Sequence, residues 1–549
     1  MAVLSALEFV SRCISKFTKS RSRTRNHLVI PIHVPKLNEN VLYEIFKHLE
    51  TDYKSLLSCV LVCRFWCQSA LPLYWADPFQ HLNHKLIVSS YIRCLDSGER
   101  TVLFNNEVGS ARYNYANYLK SLRMGTLYTA VEKWVEYDEV RRSRRQCRKQ
   151  QQLQKKRRQN FTFENSHPRI LNICHSLCRL FLSNNANILD LSLDWGDIDF
   201  WQNYPSELYF QNESTSLVNL NGLSIHYIYD WPIFKHLAKS AVNIENLEIL
   251  GYSLFPAPKQ SDENDLGLLI SNQRRLKTFK LFGYGTTPSN TISAIASQKN
   301  SLSSVEIIYV HFSGTSTVQG PSLEGLAACR NLREIIIKYC TFANDGQLKP
   351  LASARFPYLQ KLHFVESTYG WDETMVALIR NNYQNLDEVF FKPSTDGLSI
   401  LKGKPYSTEI VEVVEQLCPA LKTLGIPIGW NELRHLKNIL NNPKCQLRNL
   451  SLFPTSPYTG VQIMEEWPAF GPLMPTTLRH LNVCIKMNDE YMKKFLESIR
   501  APLETLWFDA WLYVTGSICL IVYDFIKRRD RVTDLGLKQS VREFLKYVV

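Results

Sequence analysis

The sequence predicts an α/β solenoid, with short parallel strands on the inside and helices on the outside, preceded by a small helical segment. Three observations support this class. The chain has 549 residues, more than one hydrophobic core normally serves. A short apolar pattern recurs thirteen times after residue 187. Upstream, residues 35–75 are dense in apolar side chains at helical spacing.

The repeated pattern consists of three apolar residues, the second three positions after the first and the third two positions later. The copies begin at Ile188, Leu220, Ile244, Leu276, Leu302, Leu332, Leu359, Leu386, Leu421, Leu447, Leu478, Leu503 and Val532. Their mean spacing is about 28.7 residues, which is at the upper end of the repeat lengths found in short-repeat solenoids. Regular recurrence of this kind predicts a stacked array rather than separate globular domains.

The spacing within each copy predicts a strand. Its last two apolar residues are two positions apart, so they point to the same side of an extended chain. Each short strand must bury that side against its neighbours, which favours parallel stacking. The remaining residues of each unit return to the next strand, and we expect helices at 373–381 and 408–417.

The repeats resemble leucine-rich repeats, of the long kind found in F-box proteins. Loops that end in the anchoring leucine, such as residues 356–359 and 418–421, fit the resemblance. It covers residues 168–549 and implies a horseshoe of about thirteen repeats. The Asn or Cys that usually follows the strand in this family is mostly absent.

Residues 34–78 read as three short helices. The first carries one apolar stripe, and Asn38 is placed to cap it. The stripe consists of Val41, Leu42, Ile45, Phe46 and Leu49. A second helix carries Leu56, Leu57, Val60 and Leu61, and a third runs from about Val62 to Leu73. So small a bundle has more large apolar side chains than it can hide, which indicates a contact surface.

This segment resembles the F-box. Leu37, the pair Ile45-Phe46 and the run Val62-Cys63-x-x-Trp66 match its motif, while Asn38 stands where the family prefers proline. The resemblance implies binding to a Skp-family adaptor and, through it, to cullin and RING subunits. The predicted adaptor-binding residues are Leu37, Val41, Leu42, Ile45, Phe46, Leu49, Val62, Cys63 and Trp66, with Leu37, Ile45, Phe46 and Trp66 as main anchors. Alternatively, the helices dock on the repeats as a cap.

The other segments are a flexible tail at 1–33, a helical linker at 79–140 and a basic, Gln-rich insert at 141–160. The formal net charge is +13, but residues 141–158 carry ten Lys and Arg, and residues 12–25 carry six, with no acid in either. The rest of the chain is therefore close to neutral, which makes a nucleic-acid surface on the fold unlikely. The basic run is open to three interpretations: a solvated insert, a two-part nuclear import signal or a nucleic-acid contact.

No catalytic motif stands out. The sequence has no nucleophile elbow, no HExxH and no phosphate-binding loop. Its 14 cysteines are scattered without a CxxC pair, which favours reduced thiols and predicts no metal or other cofactor. No apolar run is long enough to cross a membrane. We expect a non-enzymatic protein of the cytoplasm, the nucleus or both.

The residues between the inward positions should face the open, concave side of the middle repeats. They form a predicted apolar line of Leu250, Phe282, Ile308, Ile336, Val365 and Phe390, with Lys338, Lys361, His363 and Lys392 as a cationic margin. This surface would suit a hydrophobic segment flanked by acids or phosphate. Two alternatives stay open: irregular strands could turn some of these residues inward, or the loop 392–404 could cover them.

Together these features predict the substrate-recognition subunit of an SCF-type (Skp–cullin–F-box) ubiquitin ligase that recruits a target protein through its repeats. The alternative is a non-ligase scaffold, nuclear or RNA-associated through the basic segment.

Overall fold

The computed structural model of the protein describes residues 38–80, 84–104, 109–151, 167–183, 187–194, 217–226, 233–251, 260–283, 289–312, 322–342, 345–367, 371–393, 408–454, 464–484, 488–507, 516–527 and 534–536. The chain divides into two compact units, Met1–Ile244 and Glu245–Val549. This boundary falls inside the repeat region, and the finer divisions expected from the sequence stay predictions.

The first unit begins with a three-helix bundle. Its helices are α1 (Glu39–Lys47), α2 (Tyr53–Val60) and α3 (Arg64–Tyr74), as the apolar spacing predicts. The Asn38 side chain accepts a hydrogen bond from the Asn40 N–H and caps α1. Asp52 caps α2 in the same way through the Ser55 N–H. The shared core contains Leu42, Ile45, Phe46, Leu56, Cys59, Trp66, Ala70 and Leu73.

The rest of the first unit combines further helices with the first three strands. The elements are α4 (His84–Ile92), α5 (Ser97–Phe104), β1 (Ser121–Arg123), α6 (Met124–Gln151), α7 (His167–Ser183), β2 (Asp190–Leu193), β3 (Gly222–His226) and α8 (Ile233–Ser240). Strands β1 and β2 pair in parallel, as do β2 and β3. Arg169 on α7 forms an ion pair of 2.6 Å with Asp138 on α6. Strand β1 precedes the first predicted repeat and was not expected.

The basic run begins within a helix. Helix α6 continues through the first part of the run and ends at Gln151. Arg141 and Arg142 are exposed, and the Arg142 guanidinium lies 2.8 Å from the Asp138 carboxylate one turn earlier. Residues 152–160 of the predicted insert lie outside the described residues, so the predicted roles of the basic run stay predictions.

In the part of the second unit that the structure describes, the sheet has eleven parallel strands. They are β4 (Asn246–Leu250), β5 (Thr278–Phe282), β6 (Ser304–Ile308), β7 (Glu334–Lys338), β8 (Lys361–Val365), β9 (Glu388–Lys392), β10 (Thr423–Ile428), β11 (Asn449–Pro454), β12 (His480–Val483), β13 (Thr505–Trp507) and β14 (Asp534–Gly536). Each strand pairs with the next along the chain. Each of the thirteen predicted repeats contains one of the strands β2–β14, which confirms the repeat prediction.

Helices return the chain between these strands. They are α9 (Gln260–Ser271), α10 (Ser289–Ala294), α11 (Glu324–Ala327), α12 (Lys349–Ala352), α13 (Trp371–Asn382), α14 (Glu409–Leu417), α15 (Glu432–Asn441), α16 (Asp489–Ser498) and α17 (Gly516–Lys527). The two helices expected at 373–381 and 408–417 correspond to α13 and α14. Among the described helices of the chain, none is both long and apolar enough to cross a membrane.

Alternating burial places the core on one side of the sheet. In β4–β6 the second and fourth residues are buried and the others are partly or fully exposed. The anchoring residues ahead of the strands, such as Leu276, Leu302 and Leu332, are also fully buried. An α/β solenoid with this core confirms the fold class predicted from the sequence.

Two glycines pack tightly against one return helix. A Cβ on Gly325 of α11 would overlap the carbonyl oxygen of Ile292 in α10. A Cβ on Gly267 of α9 would lie 3.2 Å from the carbonyl oxygen of Asn290, also in α10. Because glycine has no side chain, α9 and α11 can approach α10 closely at these two positions.

Candidate protein-binding surfaces

The open face of the second unit lies on the side of the strands opposite the core. In β4–β9 it consists of the first, third and fifth strand positions, which alternate with the buried second and fourth. We call these positions 1, 3 and 5. Strand pairing places the same position of neighbouring strands side by side, so each position forms a row across the sheet.

The predicted apolar line is split between two rows. Leu250, Phe282 and Ile308 occupy position 5 of β4–β6, and Val365 occupies position 5 of β8. Ile336 and Phe390 instead occupy position 3 of β7 and β9. The prediction of one continuous line is therefore wrong, because Ile308 pairs with Lys338 while Ile336 pairs with Glu306.

Not all of these residues are accessible. Ile336 and Val365 are each only 7% exposed, so they fill gaps between their neighbours on the open face. The Phe390 ring is half-buried and overlies Gly425, with the Phe453 ring 5.3 Å away. Phe282 and Ile308 remain partly exposed. Most of the loop 392–404 that could cover this face lies outside the described residues. Target binding here stays a prediction.

The expected cationic margin is neutralised by neighbouring acids. Lys338 lies 3.4 Å from the Glu306 carboxylate, and Lys361 lies 3.3 Å from that of Glu388. Lys392 forms a 2.5 Å ion pair with Glu366. The expectation of uncompensated positive charge at these lysines is wrong, because each has an acid within ion-pair distance. The charges therefore suit a largely apolar partner better than an acidic one.

His363 adds no positive charge to this surface. Burial, with the positive charges of Lys361 and Lys338, lowers its pKa to about 3. Its Nε2 lies 3.2 Å from Glu388, but that carboxylate also pairs with Lys361, and Nε2 has no hydrogen-bond partner among the described residues. The centre of the neutral imidazole ring lies 5.3 Å from that of the Phe390 ring. The imidazole therefore extends the apolar character of the row at position 3.

We therefore expect the His363 imidazole to stay neutral between about pH 5 and pH 8. Its pKa is lower in the folded than in the unfolded chain, so the unfolded chain binds the extra proton first. The free energy of unfolding therefore has its full value at pH values above the ordinary histidine pKa. It decreases as the pH falls from there toward 3. Long-range ¹H–¹⁵N NMR, with His363→Gln to assign the signal, measures this directly. A titration midpoint near the ordinary value would contradict it.

An aromatic edge borders the same face and was missed in the sequence. Tyr309 and Tyr339 follow directly after β6 and β7, and their rings stack 4.6 Å apart at an angle of 10°. The Phe282 ring meets Tyr309 edge to face at 5.3 Å. Tyr309 remains 48% exposed. These three side chains, the aromatic edge, offer a flat face for a partner. The sequence feature that could have identified this edge is a Tyr directly after each of two consecutive predicted strands.

The backbone at this edge is held in an uncommon conformation. Gly283, Tyr309, Tyr339 and Glu366 occupy the same place in four successive repeats, with φ of 63°, 54°, 55° and 46°. For a residue other than glycine this costs on the order of 1–2 kcal/mol. Each N–H donates to a carbonyl of the next strand, as Tyr309 does to Lys338 at 3.0 Å and Tyr339 to Val365 at 2.7 Å. These bonds and the ring stacking offset the strain and fix the tyrosines.

In the helical bundle, several predicted anchors are internal. Leu42, Ile45, Phe46 and Trp66 are at most 9% exposed, and the Phe46 and Trp66 rings meet edge to face at 5.3 Å. Leu49 and Val62 pack against this core from its margin. Their assignment as exposed partner contacts is corrected, because the bundle uses these side chains for its own core. Leu37 lies outside the described residues.

Other apolar side chains of the bundle do face solvent. Val41 is 46% exposed, Leu57 40%, Leu61 60% and Phe65 40%. Cys63, one of the predicted contacts, is exposed as well. Leu57, Leu61 and Phe65 follow one another every four residues across the end of α2 and the start of α3, and we call them the exposed apolar row. All three were missed as contacts, because none of them is among the residues that match the family motif.

Comparison with known proteins does not assign this chain to a family. No protein-family model matches the chain, and no curated protein matches it in sequence. Among solved structures, one similar to it is the leucine-rich repeat-containing protein LegL7 from Legionella pneumophila, at 12% identity and a TM-score of 0.31. The similarity covers 62% of this chain and 98% of that chain. So remote a likeness says nothing about function. The regular repeats and the parallel register define an α/β solenoid.

Proposed function

We propose that this protein is the substrate-recognition subunit of an SCF-type ubiquitin ligase, without catalytic activity of its own. The bundle would bind a Skp-family adaptor, and the repeats would bind the target. One observation carries this proposal. The bundle completes its own core, yet leaves Leu57, Leu61 and Phe65 in solvent. Exposed apolar side chains grouped on a small helical bundle favour a protein contact.

The target would bind the open face of the middle repeats. Phe282, Ile308 and Tyr309 lie together at the end of β5 and β6, and each retains exposed apolar surface. The neighbouring lysines already have acidic partners, so binding there would depend mainly on apolar and aromatic contacts. We propose that the target presents a hydrophobic segment to the aromatic edge.

Changing the exposed apolar row should weaken adaptor binding. In the double variant Leu61→Asp, Phe65→Asp, we expect the dissociation constant for a purified Skp-family adaptor to rise at least about thirtyfold. Losing one interface anchor typically costs about 2 kcal/mol, and burying a new carboxylate adds to that cost. Titration calorimetry with the full chain measures the effect. Both side chains are exposed, so the variant should fold normally, which circular dichroism checks.

Leu86→Asp is the matched control. Leu86 is 69% exposed in α4, outside the bundle, and the change adds one of the two negative charges that the double variant adds. It should leave adaptor binding unchanged. If the double variant binds the adaptor as tightly as the unchanged protein does, the exposed apolar row is not the contact. If the unchanged protein binds no adaptor at all, the ligase role is excluded.

A second candidate function is a non-ligase scaffold that binds RNA through the basic segment. The exposed Arg141 and Arg142 on α6 favour it, because they lie on the solvent side of a helix that carries further basic residues. Purification with and without nuclease separates the two roles. Nucleic acid that co-purifies and is lost when residues 141–158 are changed to glutamine and serine would favour the scaffold.

A further inference from the structure

A row of charged residues marks the amino-terminal ends of five neighbouring strands. Each residue lies immediately before its strand, and each one after the first donates its backbone N–H to the carbonyl of the preceding member at 2.7–2.9 Å. The members are Asp387, Lys422, Arg448, Arg479 and Glu504, in that order across β9–β13. We call this the charged row. Since neighbouring strands are about 4.8 Å apart, three cations lie side by side within about 10 Å.

The two ends of the charged row are compensated, but its centre is not. Lys422 lies 2.9 Å from the Asp387 carboxylate, and the Arg479 Nε lies 3.6 Å from that of Glu504. Arg448, between the two cations, is exposed and has no ion-pair partner among the described residues. The row as a whole therefore carries one surplus positive charge, and this charge is on Arg448.

A cavity opens beside this charge. Its volume is about 580 Å³, and it is lined by Arg448, Asn449, Thr477, Arg479, His480 and Glu504. Asn449 donates through Nδ2 to the Thr423 hydroxyl at 2.9 Å, but its buried Oδ1 accepts no hydrogen bond among the described residues. The cavity thus combines an unpaired guanidinium with an unused acceptor, which is the complement of an anion next to an N–H donor.

We propose that this cavity binds a single carboxylate of a partner protein, with Arg448 as its main contact and Asn449 accepting an adjacent backbone N–H. One carboxylate balances the one surplus charge. A polyanion such as nucleic acid would extend beyond the three cations and meet Asp387 at one end and Glu504 at the other. The carboxylate belongs either to an Asp or Glu side chain or to a chain terminus. This site is separate from the aromatic edge and does not depend on the ligase role.

Saturation-transfer NMR with the full chain and short glycine peptides tests the proposal. The probes are a capped heptapeptide with a central Glu, the same peptide with Gln, and a glycine heptapeptide with a free carboxyl terminus. We expect the Glu peptide to bind, the Gln peptide to bind at least about tenfold more weakly, and Arg448→Gln to remove that difference. The terminal-carboxylate peptide shows which source of carboxylate is preferred.

Two further variants make the result specific. Arg434→Gln, an exposed arginine on α15, should leave binding unchanged, since it removes the same charge outside the cavity. Glu504→Gln should strengthen binding about two- to fivefold, because it removes the acid that competes for Arg479. Equal binding of the Glu and Gln peptides, or equal effects of Arg448→Gln and Arg434→Gln, would overturn the proposal. So would at least tenfold tighter binding of a phosphoserine peptide or of a twelve-residue oligothymidylate.

Discussion

Replacing Phe46 with alanine should unfold the helical bundle of the first unit. Phe46 is fully buried, and its ring packs against Trp66, which is 2% exposed. Removing a buried phenylalanine typically costs about 3–5 kcal/mol. A bundle of 36 residues, Glu39–Tyr74, has little stability in reserve. Hydrogen-exchange mass spectrometry should show protection lost across α1–α3, with the strands of the second unit still protected.

Leu61→Ala provides the comparison, because Leu61 is 60% exposed on the same bundle. It should keep the protection of α1–α3 within experimental error. If Phe46→Ala left those helices as protected as Leu61→Ala does, the packing of Phe46 would contribute far less than its burial indicates. The pair of variants also separates folding of the bundle from adaptor binding, because Leu61→Ala should weaken adaptor binding while the bundle stays folded.

The second large effect is expected from Gly325→Ala. The new methyl group would overlap the backbone carbonyl of Ile292, which cannot move aside as a side chain does. We expect the free energy of unfolding of the second unit to fall by about 3 kcal/mol, at the upper end of typical overpacking costs. Chemical denaturation followed by fluorescence measures the change.

A graded series tests the cause. Gly267→Ala places its methyl group 3.2 Å from the Asn290 carbonyl oxygen, so we expect a smaller loss of about 1 kcal/mol. Gly109→Ala lies in the first unit and meets no atom within 4 Å, so it should leave the free energy of unfolding of the second unit unchanged. Equal effects at Gly325 and Gly109 would mean that the close approach to α10 relaxes without cost.

The strands could be predicted because the sequence of each repeat determines which of its residues are buried. Three apolar residues at fixed spacing determine which positions are buried, and every such residue of the first twelve predicted repeats that the structure describes is buried. Strand β1 was missed although Leu119, Leu122 and Met124 follow the same spacing and are at most 3% exposed. In the predicted pattern Ile, Val and Phe replace Leu, whereas β1 has Met, whose flexible side chain fills the same space.

The surfaces were less predictable than the core. Counting from the anchoring leucine places Ile308 six residues on and Ile336 four, so the two rows of the open face could have been separated by arithmetic. The pairing of Lys338, Lys361 and Lys392 with acids depends on residues of the neighbouring repeat, and no single repeat reveals it. In the bundle, the apolar stripe of α1 predicts burial without distinguishing the bundle's own core from a partner.

The strand order of the second unit has a mechanical consequence. Each of the described strands bonds only to its neighbours in sequence, and no described strand joins two parts of the sheet that are distant in the sequence. If this unit is pulled from its two ends, we expect the repeats to unfold one at a time, beginning at either end. Each event would release about 29 residues, or roughly 100 Å of contour length. A solenoid of this kind should unfold under force in many small steps. A sheet of interleaved strands would instead unfold in one cooperative event at a higher force.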